Sequence, residues 1–186
     1  MPDPVFLALQ GIILILPAMA ANSLAVITGG RGRMDFGKSF IDGRRIFGDG
    51  KTWSGFFGGI LLAMVFGLII MGIDSLLGNP FLPYGSGIPD AIYVLLVMTS
   101  GSLVGDAAGS FMKRRLGIKS GGNAGLLDQL PFILMSFLFI GLFAWNFFYQ
   151  VYWNYFAVPV ILIITPPVHR IVNVIGFKIN RKSVPW

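Results

Sequence analysis

Five apolar runs, each long enough to cross a bilayer, leave this chain of 186 residues little choice but a bundle of membrane helices. They cover about Val5–Thr28, Trp53–Leu77, Ala91–Met112, Leu126–Asn146 and Trp153–Val174. The expected fold is an all-α integral membrane protein with five transmembrane helices in one multi-pass domain. Loops fall at 29–52 and 113–125, and no stretch is left for a separate soluble domain. Only 12% of the residues are charged, about half the share of a soluble domain. The first run is not read as a secretory signal, since no basic residue precedes it and it is too long. Asn79-Pro80 and Ile88-Pro89-Asp90 read as turns, with proline opening the third span. No internal repeat is visible, which weakens an inverted-repeat transporter reading.

The cations set the expected topology. All 14 lie in three places: Arg31 to Lys51 in the first loop, Lys113 to Lys119 in the third, and Arg170 to Lys182 at or beyond the fifth span. Alternate threading puts these three regions on one side, which the positive-inside rule makes cytoplasmic. The N-terminus is then outside and the C-terminus cytoplasmic, in a cell-membrane protein. The net charge of +6 follows from this orientation and calls for no nucleic-acid partner. No cysteine and no glutamate occur, and His169 is the lone histidine. Thiolate sites, histidine clusters and a Ser-His-Asp triad are thereby disfavoured, and carboxylate chemistry rests on eight aspartates.

One of those aspartates stands where a membrane helix should carry no charge. Asp106 lies roughly 22 Å along span three from Ala91, still short of the far edge of a core about 30 Å thick. A carboxylate there costs about 2.5–3.5 kcal/mol even on the mildest scale, so such residues face a partner or a watery cavity. Thr99, Ser102, Asp106, Ser110, Lys113 and Arg114 share a sector of about 120° on an ideal helix. Snorkelling at a helix end explains the basic residues, but not Asp106 and Ser110 beside them. The stripe predicts a polar cavity.

Two loops on the basic side add to it. Gly29–Trp53 holds six cations, three aspartates and seven glycines, more than topology demands. Glycine lets backbone N–H groups approach phosphate oxygens, and Lys and Arg supply countercharge. Gly50-Lys51-Thr52 is not a Walker A motif, because Arg45 stands where its first glycine belongs and no strand precedes it. It reads as a basic, glycine-rich anion site ending at a helix N-terminus. The third loop leads to Asp128, expected at the start of span four, where capping is its alternative role. Asp106 and Asp128 are expected to converge beside Lys113, Arg114 and Lys119. Mg²⁺ prefers one or two carboxylates together with waters and substrate phosphates, so the set suits phosphoryl or nucleotidyl transfer.

The pattern Gly105-Asp106, Ser110, Lys113-Arg114, Lys119 and Asp128 resembles the signature of CTP-dependent phosphatidate cytidylyltransferases. The whole chain is similar to the archaeal branch of that superfamily, through Asp42-Gly43, Gly48-Asp49-Gly50-Lys51-Thr52-Trp53 and the ending Val184-Pro185-Trp186. It departs from the bacterial and eukaryotic pattern at Ser120, at Gly121-Gly122-Asn123, and at Gln129 after Asp128. The resemblance implies that the phosphate of a polyprenyl glycerol lipid, digeranylgeranylglyceryl phosphate, attacks the α-phosphorus of CTP. The products are CDP-archaeol and pyrophosphate. Asp106 and Asp128 are then expected to hold Mg²⁺, with Lys113, Arg114 and Lys119 on phosphates and Ser110 orienting a phosphate or a metal-bound water. Asp42, Asp49, Lys51 and Thr52 are candidates for gripping CTP. Asn22, Lys38, Arg44, Arg45, His169 and Asn173 are further candidates to border the site.

Two rivals come from the same residues. A CDP-alcohol phosphotransferase needs Asp-Gly-x-x-Ala-Arg, but Arg44-Arg45-Ile46-Phe47 follows Asp42-Gly43 and the downstream aspartates are missing at the required spacings. A small transporter could place Asp106 in a cavity, yet it leaves the basic, aspartate-bearing loops unexplained. In span five, Pro166-Pro167 is expected to interrupt the helix near its inner end, letting His169, Arg170 and Asn173 border the cavity.

Overall fold

The structure is a computed structural model that describes residues 3–78 and 84–179. The Asn79-Pro80 turn, Arg181, Lys182 and the Val184-Pro185-Trp186 ending lie outside the described residues. Among those described, all regular structure is helical: α1 (Pro4–Thr28), α2 (Trp53–Leu76), α3 (Ile88–Arg115), a 3₁₀ turn (Gly125–Asp128), α4 (Pro131–Phe143), α5 (Trp145–Val151) and α6 (Ala157–Lys178). Helices α1, α2, α3 and α6 are long and apolar enough to cross a membrane. The α4–α5 pair makes a fifth span if it is counted as one.

Helix starts follow local chemistry. Asp3 accepts from the Val5 N–H and Pro4 occupies the first turn of α1. The Thr52 hydroxyl accepts from the Gly55 N–H at the head of α2, at 3.2 Å. Proline also opens α3 and α4, where its missing donor costs nothing.

Helix α1 packs along α2, α3 and α6, while α3 is gripped between α1, α2 and α4. Small residues set these distances. Gly101, Gly105 and Gly109 form a row on α3, one turn apart, facing α4 and the turn before it. A Cβ at Gly101 would lie 2.8 Å from the Met135 carbonyl, and one at Gly109 would lie 3.1 Å from that of Leu127. With little hydrophobic force between helices in lipid, such close backbone approach is what associates them. Part of the polar stripe on α3 serves the same packing. Ser102 donates to the Ala18 carbonyl at 2.7 Å, and Thr99 donates within its own helix to Leu95 at 2.7 Å.

Two expectations are corrected here. The run 126–146 is not one straight helix. Asp128 lies in the 3₁₀ turn, Pro131 prevents α4 from extending backwards, and the chain bends by 118° between α4 and α5. The bend seats Phe147 and Tyr152 in the core, where Tyr152 packs edge-on against Phe137 and donates to the Gly11 carbonyl. Nor does Pro166-Pro167 interrupt the last helix, since α6 runs unbroken through both. Before them, the Thr165 hydroxyl donates to the Ile161 carbonyl at 2.7 Å. At the head of α6 the Asn154 side chain accepts from the Phe156 and Ala157 N–H groups.

Candidate active site at the basic end of the bundle

Asp35 organises the first loop. Its carboxylate is fully buried and accepts from Arg45 at 2.8 and 3.2 Å and from the backbone N–H groups of Gly37, Phe47 and Gly48 at 3.0–3.2 Å. Burial would raise such a group, but the Arg45 guanidinium and these N–H donors outweigh it and hold the carboxyl well below its ordinary 3.8. Arg45 is raised in turn, chiefly by the Asp35 hydrogen bond. The loop is pinned back on α2, with Trp53 donating to the Gly32 carbonyl at 2.7 Å and Met34 to that of Lys51 at 2.9 Å. The expectation that loop glycines offer their N–H groups to phosphate is thus corrected in part. Asp35 already holds Gly37 and Gly48, and the Thr52 hydroxyl holds Gly30 and Gly55.

The loop is also tied to the inner end of α3. Arg115 forms an ion pair with Asp42 at 3.0 Å, donates to the Arg44 and Arg45 carbonyls, and lies over the rings of Phe40 and Phe111. Arg44 returns hydrogen bonds to the Arg114 and Arg115 carbonyls. The first and third loops therefore form one cap on one end of the bundle.

Two cavities open under this cap and adjoin at Asp49. The first, about 480 Å³, is bordered by Asn22, Asp49, Lys51, Thr52 and Asp106, with an apolar wall of Ala25, Val26, Phe56 and Leu103. The Lys51 ammonium forms an ion pair with the Asp106 carboxylate, closing a contact between α2's approach and mid-α3. The Asn22 Oδ1 is buried and has no hydrogen-bond partner. The second cavity, about 390 Å³, is bordered by Arg44, Arg45, Asp49, Arg114, Lys119 and Ser120. Asp49 forms ion pairs with Arg33 and Arg45, both at 3.1 Å. Arg114 is only 7% exposed; its Nη2 donates to the Lys119 carbonyl at 3.1 Å while its Nε has no partner.

Sequence candidates thus divide. Asn22, Asp49, Lys51, Thr52 and Asp106 border the first cavity, and Arg44, Arg45, Arg114 and Lys119 the second. Asp128 borders neither of these two. It is bonded to Lys113 at 2.5 Å and accepts from the Ala124 N–H at 2.7 Å, closing the 3₁₀ turn rather than heading a helix. Ser110 is buried on α3. Asp42 faces Arg115, and Lys38 is exposed on the loop. His169 packs on the Phe132 ring and shares a 3.2 Å contact with the buried Asn173, on α6 and outside both cavities. Asp35 was not among the candidates. Nothing in its sequence surroundings separates it from Asp42, and only the fold buries one and exposes the other.

For Mg²⁺ the donor set fits without forming a cage. No cluster of three or more His, Cys, Asp or Glu occurs among the described residues. The first cavity instead offers the Asp106 carboxylate and the unpartnered Asn22 carbonyl oxygen, both hard donors. An octahedral ion that draws its remaining ligands from water and phosphate needs little more.

Comparison with known proteins agrees with this chemistry. A family model described as CarS-like, CDP-archaeol synthase, matches residues 5–186. A CDP-archaeol synthase of Picrophilus torridus is 50% identical over 186 residues, covering 98% of both chains. That of Archaeoglobus fulgidus is 38% identical, covering 97% of this chain and 98% of its own. A solved structure, titled as an intramembrane enzyme for archaeal membrane lipids biosynthesis, superposes with a TM-score of 0.65 at 31% identity, covering 94% of this chain and 95% of that one. With the match running nearly end to end, the chain belongs to the CDP-archaeol synthase family.

Proposed function

We propose that the cap and its two cavities are the site where the phosphate of digeranylgeranylglyceryl phosphate attacks the α-phosphorus of CTP, giving CDP-archaeol and pyrophosphate. As a member of its family the chain is a membrane-embedded, CTP-dependent cytidylyltransferase of archaeal glycerolipids. The observation that carries the site assignment is the Lys51–Asp106 pair, a cation and a carboxylate from separate elements at one cavity with an apolar wall.

Asp106 is the carboxylate assigned to Mg²⁺ in the first cavity, with Asn22 adding a neutral oxygen; Asp128, held in this structure by Lys113 and the Ala124 N–H, is assigned as the second carboxylate once its Lys113 pair opens on nucleotide binding. The ion's contribution, when bound with the nucleotide, is to neutralise charge on the triphosphate. The chain's own groups do the rest. Lys51 lies at the reacting α-phosphate, and Lys113, Arg114 and Lys119 hold phosphate oxygens. Ser110 orients a phosphate or a water, and Thr52 and Asp49 keep the loop against the nucleotide. Asp42 acts through Arg115, and Arg44 and Arg45 complete the basic wall. The attacking oxygen belongs to an already ionised lipid phosphate, so no covalent enzyme intermediate is required. Stabilisation of charge in a partly dry cavity supplies most of the catalysis.

The basic cap faces the cytoplasm in this reading, because 10 of the 14 cations fall in its two loops and the last turn of α3. Conversion of radiolabelled CTP to a CDP-lipid, with several lipid phosphates and with or without Mg²⁺, is the test. Well-folded protein that forms no such product with any polyprenyl or acyl glycerol phosphate would overturn the reading.

A further inference from the structure

We infer that a third cavity, at the end of the bundle opposite the basic cap, binds a neutral polyhydroxylated group, the glycosyl headgroup of a membrane lipid. It is separate from the reaction proposed above.

The cavity owes its shape to the bend between α4 and α5. The 118° turn at Ala144 sets Trp145, Asn146 and Gln150 beside Asp90 and Tyr93 at the head of α3. The space between them is about 660 Å³, larger than either cavity under the cap, and a size usual for a small-molecule site. Its walls are fixed. The Tyr93 hydroxyl donates to the Phe143 carbonyl at 2.8 Å, tying α3 to the break. Tyr84 and Phe147 are both buried and stack at 6.0 Å, and Trp153 holds Trp145 edge-on at 5.5 Å.

Charge limits what can enter. Between Lys51 and Lys113, and again between Lys119 and His169, the sequence has no Lys, Arg or His. Every described residue bordering this cavity comes from those two stretches. A phosphate placed here would meet no countercharge and would face the Asp90 carboxylate. The ligand is therefore not an anion.

Hydrogen bonding narrows the choice further. Asp90 Oδ2 accepts from the Ser86 N–H at 3.0 Å and from the Ser86 hydroxyl, while Oδ1 accepts from no donor among the described residues. The Asn146 and Gln150 side chains make no hydrogen bond among those residues either. Each amide offers two donors and an acceptor. An ammonium ion would use the acceptors and leave the donors idle. Hydroxyl groups both donate and accept, so a polyol matches all three side chains, and the C–H face of a sugar ring packs on a flat aromatic wall such as Trp145.

The mouth of the cavity points to a lipid as the carrier. Tyr93, Phe143 and Trp145 are each about half exposed, and Leu96 and Leu142 continue that surface along α3 and α4. Exposed Tyr149, Trp153 and Tyr155 gather at the same end, as aromatic residues do at headgroup depth. A free sugar gains nothing from the apolar strip, whereas a glycolipid lays its chains along it with the headgroup inside.

The test uses the full chain in a polyoxyethylene detergent, which carries no sugar, mixed with equal amounts of three lipids. These are a diglucosyl dialkylglycerol, the same dialkylglycerol without sugar, and a phosphatidylglycerol. Native mass spectrometry reads which lipid stays bound, so no readout depends on CTP turnover. The diglucosyl lipid is expected to be retained at least about fivefold over the other two, and Gln150→Ala and Asn146→Ala are each expected to lower that preference at least about threefold. Both side chains are exposed, so the melting temperature should stay at the parent value. Equal retention of the three lipids by the parent, or an undiminished preference in both variants, overturns the inference. Maltose at the same concentration as the diglucosyl lipid is expected to leave that lipid bound; displacement of half of it or more would make this a free-sugar site and overturn the lipid assignment.

Discussion

At the residue scale, the site is a set of charges that each need a reason to be in or near a membrane. Asp106 has Lys51 as its reason, and Asp128 has Lys113. Asp106→Asn and Asp128→Asn are each expected to lower turnover at least about 10²-fold, because loss of a proposed metal ligand would remove several kcal/mol of transition-state stabilisation. Thermal stability of Asp106→Asn should change little, the neutral amide being easier to keep in the cavity. Steady-state kinetics and a melting curve of each variant decide it. Near-parental turnover would return Asp128 to closing the 3₁₀ turn. Lys51→Ala is expected to raise the CTP KM, lower kcat, or both, while Arg31→Ala does much less; equal, unchanged kinetics would reduce the loop to a topological determinant. The stripe on α3 was legible because a 100° step per residue needs no tertiary knowledge. Its division was not, since the Ser102 partner is the Ala18 carbonyl on α1, 84 positions away. Pairing of Asp106 with Lys51 was hidden for the same reason.

At the element scale, the first loop is a built object rather than a flexible tether, and Asp35 is its centre. The folded carboxyl lies below its ordinary 3.8, so its contribution is present above that value and is lost only as pH falls through the lower, folded one. Amide exchange at Phe47 and Gly48 is therefore expected to stay protected at pH 3.8 and to quicken only in stronger acid. Asp35→Asn should lose that protection at every pH, at a local cost of about 1–3 kcal/mol for donors left in excess. Protection unaltered in Asp35→Asn would show that the backbone contacts to α2 hold the loop by themselves. Between helices, the Gly101–Gly105–Gly109 row makes the equivalent prediction. A Cβ at Gly105 collides with the Pro131 carbonyl, so Gly105→Ala should lower the melting temperature in detergent by several degrees, about 1–3 kcal/mol. Gly72 lies in α2 with open space around it, and Gly72→Ala should be neutral or stabilising by up to about 1 kcal/mol. The spacing of that row is visible in the sequence. The bend at Ala144 is not, because an apolar run reads the same whether it crosses straight or folds back to seat Phe147 and Tyr152.

At the scale of the whole molecule, sidedness links fold to function, because CTP is soluble and the lipid substrate is not. The two loops under which the cavities open, together with the last turn of α3, carry 10 of the 14 cations, whereas the opposite end carries Tyr84, Asp90, Trp145 and the α4–α5 bend. On the positive-inside rule the basic end is expected to face inward, which would put the proposed nucleotide site in the compartment that holds CTP. The chain contains no cysteine, so a single introduced thiol reports its own position without background. Ile41→Cys is the natural probe on the cap, since Ile41 is 94% exposed and borders neither cavity. Ser86→Cys marks the other end, between α2 and α3. In sealed right-side-out vesicles, a membrane-impermeant maleimide is expected to label Ser86→Cys and to spare Ile41→Cys until the membrane is opened. The reverse pattern would put the basic cap outside, and CTP supplied from the cytoplasm could not then reach Asp106.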